Sequence, residues 1–260
     1  MIIYGLWIGN HLSDMERLSV ESFLFHKHDF HLYTYGPVQN VPPGTRVLDA
    51  NEIISRDKVE RFKYTGNPSY SAFSNVFRYK LLLEKGGIWV DLDVICLREF
   101  DIGSDYLFPI VSHRLMLGRD LGFEIDAWFI KVPPNSKLMK FCYERACQYE
   151  GREMSWGTIG PVLLRDAVCR FGLQRFASHW DFFPINWSRY REFVSGSILA
   201  TIIWHLFCRK ALVIHLYHEA WRENGLDKNG TFVRSSIYER LKARYLRTGV
   251  HFHGSRILTA

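Results

Sequence analysis

The segment Lys85-Gly-Gly-Ile-Trp-Val-Asp-Leu-Asp-Val-Ile95 constrains this chain more than any other, because it joins a helix to a strand with no room for a loop. From Ser69 to Lys85 the apolar residues Phe73, Phe77, Leu81 and Leu82 recur with a helical period, and Gly86-Gly87 supplies the left-handed stop a helix end requires. Ile88-Trp89-Val90 and Val94-Ile95 are β-branched or aromatic, which predicts a strand over Ile88 to Ile95. Asp91 and Asp93 then point to one side of that strand while Leu92 packs behind them.

Two carboxylates at the end of so apolar a run are costly to bury without a cation. A pair of hard oxygen ligands suits Mg²⁺ or Mn²⁺, which take few protein carboxylates and complete their shells with water and phosphate oxygens. Asp91 and Asp93 are therefore candidate metal ligands facing a phosphorylated substrate. Ser74, Asn75 and Arg78 lie three or four apart and share one side of the preceding helix, which the glycine corner returns toward the carboxylates.

The rest of the chain supplies the scaffold. Strand-like segments are expected at Ile2 to Ile8, Phe30 to Tyr35, Arg46 to Leu48, Phe123 to Val132 and Ala211 to Leu216. Helices are expected at Asp14 to His28 behind a Ser13-x-x-Glu16 capping box, Tyr70 to Lys85, Ser136 to Tyr149 and Pro161 to Phe171. This alternation predicts an α/β fold, a mostly parallel central sheet flanked by helices, with ligands beyond the carboxyl ends of the strands. A chain of 260 residues, 47% hydrophobic and 15% aromatic, can bury one large core. One domain is expected over residues 1–233, followed by a basic amphipathic extension over 234–260.

That extension holds Arg234, Arg240, Lys242, Arg244, Arg247 and Arg256 against Glu239 alone, most of the formal net charge of +6. Ser236-x-x-Glu239 reads as a capping box, Gly249 as a stop, and Ile237, Leu241, Tyr245 and Leu246 as an apolar stripe. Such a helix either lies on an anionic membrane surface or docks on the domain with its charges solvated. Nucleic acid is not an expected partner, since the aromatics are dispersed and no binding motif accompanies the charge. The uncharged run Phe193 to Cys208 is too short to span a bilayer and reads as a buried helix. Met1-Ile-Ile-Tyr4 enters a strand without a targeting signal. Cys96, Cys142, Cys147, Cys169 and Cys208 are an odd number without metal spacing, and read as small buried hydrophobes of a reduced cytoplasmic chain.

Ser74-Asn-Val-Phe-Arg78, followed by Leu81-Leu-Leu-Glu-Lys-Gly-Gly-Ile-Trp-Val-Asp-Leu-Asp-Val94, resembles the core of the DxD-containing sugar transferases. These include α-1,4-galactosyltransferases, yeast-type mannosyltransferases and the glucosyltransferase domains of clostridial toxins, a GT-A fold of the family 32 kind. Their pattern is Ser-Asp-x-x-Arg, then Gly-Gly and Asp-x-Asp; here Arg78 stands thirteen residues before Asp91. Asn75 replaces the usual Asp, keeping an acceptor oxygen without the charge. Ile3-Tyr-Gly-Leu-Trp-Ile-Gly9 and His31-Leu-Tyr-Thr-Tyr35 are similar to the first two strands of that fold. His215-Leu-Tyr-His-Glu-Ala-Trp221 is similar to its closing segment, with Tyr217 in place of the usual aromatic.

The resemblance implies roles for these residues. Trp7 would stack near uracil, Tyr33 or Tyr35 would lie near the nucleoside, and Asn75 and Arg78 would orient donor-sugar hydroxyls beside Asp91. His215 or His218 would complete the metal site of Asp91 and Asp93 or bond the diphosphate. Trp221 and Gly160 would meet the nucleotide sugar, Gly160 within Trp156-Gly-Thr-Ile-Gly-Pro161, whose plainer role is to start a helix at Pro161. Glu124 and Asp126 would be the carboxylates nearest the reacting carbon, and the anomeric configuration would be retained.

The implied activity is transfer of galactose, glucose or an N-acetylated analogue from a UDP-sugar to a glycan or lipid-linked acceptor. Surface polysaccharide or lipopolysaccharide synthesis, O-antigen included, at the cytoplasmic face of a membrane is the implied setting. Two other readings remain open. A strand ending in Asp-x-Asp also resembles haloacid-dehalogenase-like phosphatases, with Asp91 as nucleophile, although the later acidic pair that binds their Mg²⁺ is missing. A non-catalytic sugar- or lipid-binding module would use the aromatic and basic surface but gives no reason for paired carboxylates.

Overall fold

The computed structural model describes residues 1–116 and 119–246. The chain opens with β1 (Ile2–Trp7), α1 (Asp14–Phe25), β2 (Asp29–Thr34) and β3 (Arg46–Asp49), then α2 (Ser71–Lys85), β4 (Gly87–Val90) and β5 (Val94–Cys96). Next come β6 (Phe108–Met116), β7 (Arg119–Ile125), β8 (Phe129–Val132), α3 (Lys137–Cys147), α4 (Leu163–Arg170) and β9 (Ala177–Ser178). The chain continues with α5 (Ile198–Phe207), β10 (Val213–His215), α6 (His218–Glu223) and α7 (Ile237–Tyr245). The central sheet has the order β3-β2-β1-β4-β8, parallel except for β8. β5 pairs antiparallel with β10, and β6 lies between β7 and β9. The α/β class and the mostly parallel flanked sheet read from the sequence are those observed.

Two expected strands are each broken, and both breaks build the site. Ile88 to Ile95 does not run straight. Val94 N–H bonds the Asp91 carbonyl at 3.0 Å, so Asp91-Leu92-Asp93 forms a turn and β5 leaves the central sheet. Helix α1 holds β5 in its new direction: Ser19 donates to the Val94 carbonyl at 2.7 Å, and Ser22 Oγ accepts from Cys96 N–H at 2.8 Å. Phe123 to Val132 likewise splits into β7 and β8 around Asp126, Ala127 and Trp128. The glycine corner is as expected. Gly86 closes α2 at φ +64°, its N–H bonding the Leu82 carbonyl at 3.0 Å, and a Cβ there would stand 2.4 Å from the Pro134 nitrogen.

Strand alternation divides the core. On β2, Phe30 and Leu32 face the cluster that holds Ile3, Val90 and Phe129, while Tyr33 faces α2 with Phe77 and Trp89. A third cluster joins α1, α5, β10, α6 and α7 through Leu18, Trp204, Ile214, Trp221 and Leu241. Helix α7 buries Ile237, Tyr238, Leu241 and Tyr245 there, so its apolar stripe faces the domain. Arg247, Gly249 and Arg256 lie outside the described residues.

Helix α5 corrects the expectation of a buried helix, since only Ala200 and Trp204 of it are buried. An uncharged run reads as core only when both sides are covered, and here one side is not. Among the described residues no helix is long and apolar enough to cross a membrane. All five cysteines are free; Cys96 and Cys142 are buried as expected, whereas Cys169 is exposed.

Candidate active site

The Asp91-Leu92-Asp93 turn stands between two cavities. One, of about 410 Å³, runs from Trp7 past Ser71, Ser74 and Arg78 to Asp91, Asp93 and His218. The other, of about 490 Å³, is lined by Asp126, Trp128, Trp156, Trp187, His215 and Tyr217 and again by Asp91 and Asp93. The turn is thus the wall common to both.

Arg78 fixes that wall from α2. It is 3% exposed and lies 3.0 Å from Asp91 Oδ1, donates to the Ala127 carbonyl, and bonds the Ser74 hydroxyl at 3.0 Å and carbonyl at 3.2 Å. Its guanidinium lies 5.0 Å from the centre of the Trp89 ring. Trp89 Nε1 donates to the same Asp91 oxygen at 2.9 Å. Asp93 Oδ2 accepts from His218 N–H at 2.8 Å and stands 3.1 Å from His215 Nε2. His215 stacks on Trp128 at 4.7 Å and meets Tyr217 at 4.1 Å.

The charges are unevenly satisfied. Burial raises the Asp91 carboxyl, and the neighbouring Asp93 adds to that against the pull of Arg78, leaving it above the usual range. Burial also raises Asp126, outweighing the His215 cation and the Ala127 N–H at 2.7 Å. For Asp93 burial is overridden by His215 and by the His218 N–H, so it stays well below the ordinary value. Burial disfavours the His215 cation, yet Asp93, Asp126 and Asp91 together hold it above the normal histidine value. His218 falls, chiefly through burial and then through Lys228.

This donor set fits a divalent cation in part. Asp91 Oδ2 and Asp93 Oδ1 are the oxygens not engaged in the bonds above, and the repulsion between the two carboxylates is what a cation relieves. Among the described residues no three His, Cys, Asp or Glu side chains form a ready metal cage. A cation here would have two protein carboxylates and take the rest from substrate and water, the coordination that suits Mg²⁺ or Mn²⁺. His215 is turned to Asp93, whose carboxylate favours its cationic form; His218 is the histidine on the first cavity.

The structure gathers Trp7, Arg78, Asp91, Asp93, Asp126, His215 and His218 around the two cavities, and leaves six expected residues outside. Tyr33 faces the core on β2, and Tyr35 donates to the Ile54 carbonyl at 2.7 Å. Asn75 is 5% exposed and donates to Tyr64 Oη at 3.0 Å and the Ser71 carbonyl at 2.9 Å. Gly160 sits beneath it, where a Cβ would come within 2.9 Å of the Asn75 amide, so this glycine serves close packing against α2. Trp221 points away from His218 and Glu219 on the short helix α6 and is fully buried against Phe232 and Tyr238. Glu124 is exposed on β7, because Ile125 takes the inward position before the chain turns at Asp126.

Three further residues belong to the site. Trp156 and Trp187, 62% and 64% exposed, stand at the second cavity. Lys228 bonds Glu16, a residue of the first cavity's wall, at 2.7 Å and lies 5.2 Å from the Trp7 ring. Trp156 was within a segment singled out by sequence, whereas Trp187 and Lys228 carry no local signal.

Residues 7–109 match the family described as the glycosyltransferase sugar-binding region containing a DXD motif. No curated protein matches the chain in sequence. Among solved structures, the galactosyltransferase LgtC in complex with donor and acceptor sugar analogues is 12% identical with a TM-score of 0.51, covering 97% of this chain and 98% of its own. The PaToxG glycosyltransferase is 12% identical at TM-score 0.45 over 94% of this chain and 86% of that one. The apo form of the glycosyltransferase GlyE from Streptococcus pneumoniae TIGR4 is 11% identical at 0.40, over 94% of this chain and 62% of its own. The likeness to LgtC carries the fold. Residues 7–109 are thus similar to the sugar-binding region of the DXD-containing glycosyltransferases, set in a chain whose fold is like that of LgtC.

Proposed function

We propose that this enzyme transfers a hexose, galactose, glucose or an N-acetylated analogue, from a UDP-sugar to a glycan or lipid-linked acceptor with retention and with Mn²⁺ or Mg²⁺. Surface polysaccharide or lipopolysaccharide synthesis on the cytoplasmic side of a membrane is the setting that suits it. The observation that carries the reading is the pair of cavities meeting at Asp91 and Asp93. A donor in the first and an acceptor in the second would bring their reacting atoms together at that wall.

Each residue then has a task set by its position. Trp7 provides an apolar face for the base, with Lys228 above it. Arg78 holds Asp91 in one orientation and neutralises part of the carboxylate charge against which a diphosphate must bind. A divalent cation bound by Asp91 and Asp93 supplies Lewis acidity toward the departing diphosphate. Asp126, in the second cavity, is the carboxylate beside the reacting carbon, as nucleophile or as a group polarising a hydroxyl. Trp156 and Trp187 offer flat apolar faces to the sugar rings of an acceptor.

Release of UDP from UDP-galactose, UDP-glucose and their N-acetylated counterparts, with and without Mn²⁺, tests the proposal. Metal-dependent release that Asp93→Asn abolishes is the expected result. No metal-dependent binding or release with any of these donors refutes it.

A further inference from the structure

Helix α5 turns its aliphatic side chains outward. Ile198, Leu199, Ile202 and Leu206 are 80%, 53%, 50% and 55% exposed, while Ala200 and Trp204 on the other side are buried against the domain. Ile198, Ile202 and Leu206 follow one another at four-residue steps and Leu199 lies beside them, so the four form one stripe about 12 Å long. A surface helix ordinarily shows the reverse pattern, polar outward and apolar inward.

Cations stand at both ends of the stripe, with Glu99 beside Arg98 and Glu192 near the opposite end. From Val194 to Tyr217 the chain contains no acid, and α5 contains neither acid nor lysine nor arginine. Arg209 and Lys210 follow the helix and are exposed, and exposed Arg98 donates to the Lys210 carbonyl at 3.2 Å, which places a third cation at that end. At the other end Gly196 packs against Val233, where a Cβ would lie 3.1 Å from Val233 Cγ1. Val233 is itself 54% exposed and is followed by exposed Arg234. Glu192, the acid on this side, accepts hydrogen bonds from the Ser195 and Ser197 hydroxyls.

We propose that this face of α5 is a docking surface for an anionic lipid bilayer, with the aliphatic stripe entering the headgroup boundary and the cations at its two ends meeting lipid phosphates. The chemistry selects lipid over a second protein. Protein interface cores are rich in aromatic residues and hydrogen bonds, whereas this stripe is aliphatic and ends in cations, the pattern of an interfacial helix. The placement also differs from α7, whose apolar stripe is already buried. The docking itself does not depend on the proposed activity.

Co-sedimentation of the full chain with vesicles of mixed phosphatidylglycerol and phosphatidylcholine, and of phosphatidylcholine alone, tests it. The wild-type chain is expected to bind the anionic vesicles, less as salt rises, and to bind the neutral ones weakly. Ile202→Asp/Leu206→Asp should reduce binding by roughly tenfold or more, from the loss of two inserted aliphatic side chains. Arg209→Glu/Lys210→Glu should weaken binding and flatten its salt dependence, while both variants keep the wild-type melting temperature. Absence of wild-type binding overturns the proposal. So does undiminished binding by the Ile202→Asp/Leu206→Asp chain, or a wild-type dimer in sedimentation velocity that this variant dissociates.

Discussion

Replacing Arg78 by Met keeps the length of the side chain on α2 and removes its charge and donors. Asp91 then stands beside Asp93 with the Trp89 Nε1 bond alone, and the Ala127 carbonyl loses its guanidinium donor. Breaking a fully buried ion pair from one side costs about 3–5 kcal/mol, but the Asp91 side chain is 32% exposed and water screens part of that. Adding about 1 kcal/mol for the carbonyl gives a net cost of roughly 2–4 kcal/mol. At about 2–4 °C per kcal/mol for a chain of this size, the melting temperature should fall by roughly 4–16 °C. Asp91→Asn should cost less, because it loses one charge-assisted bond while relieving the repulsion with Asp93. In the Arg78→Met/Asp91→Asn double variant no unpaired carboxylate remains, so its loss should be smaller than the sum of the single losses. Thermal and urea unfolding of the four proteins measure this. An Arg78→Met chain as stable as wild type, or strictly additive losses, would refute the assignment of Arg78 as the counter-charge of Asp91.

Two further outcomes follow from buried charge. His28 is 4% exposed with no bond to either ring nitrogen, lies tilted against Phe100 with ring centres 4.3 Å apart, and has its pKa lowered to about 4 chiefly by burial. The unfolded chain therefore binds a proton that the folded chain resists, so stability should fall as pH drops from about 6.5 to about 4, by up to about 3 kcal/mol. Urea midpoints across that range should lose part of this slope in His28→Phe, and an unchanged slope would rule His28 out as its source. Asp126 is raised by burial and by Asp91, so Asp126→Asn should raise the melting temperature at neutral pH while lowering turnover by roughly a hundredfold or more. An Asp126→Asn chain that keeps near-normal turnover would remove Asp126 from the chemistry.

What could be read from the sequence here is what depends on neighbours along the chain. The period of α2, the Gly86-Gly87 stop and the Ser13/Glu16 capping box each rest on contacts a sequence pattern encodes locally, whereas the ion pair of Arg78 with Asp91 appears only in the structure. The turn at Asp91 was not legible. Ile88 to Ile95 has strand composition on both sides, and what holds β5 out of line is distant in sequence: the Ser19 and Ser22 hydroxyls of α1, some seventy residues earlier, and the pairing with β10 more than a hundred residues later. Side-chain direction failed in the same way. Tyr33 and Trp221 are of the type that stacks on a base or sugar, yet register on β2 and the turn of α6 point both into the core.

The same argument runs in reverse for α5 and for the second cavity. Apolar composition reports that a side chain avoids water, not what covers it, and the uncharged run before Cys208 therefore looked like core. Its buried partners occupy one side only, Trp204 against Phe183 and Ala200 in the same cluster, which frees the four aliphatic residues opposite. Trp187 is exposed because the short helical turn that carries it packs Tyr190 and Phe193 inward and has no further room. In both places apolar surface is left uncovered after the core is full. One such surface opens beside Asp126, where a sugar ring would lie, and the other ends in cations, where lipid phosphates would lie. A fold that hides Trp221 and Tyr33 completely has no packing reason to expose Trp187 and Ile198, so their exposure is better explained by binding than by incomplete burial.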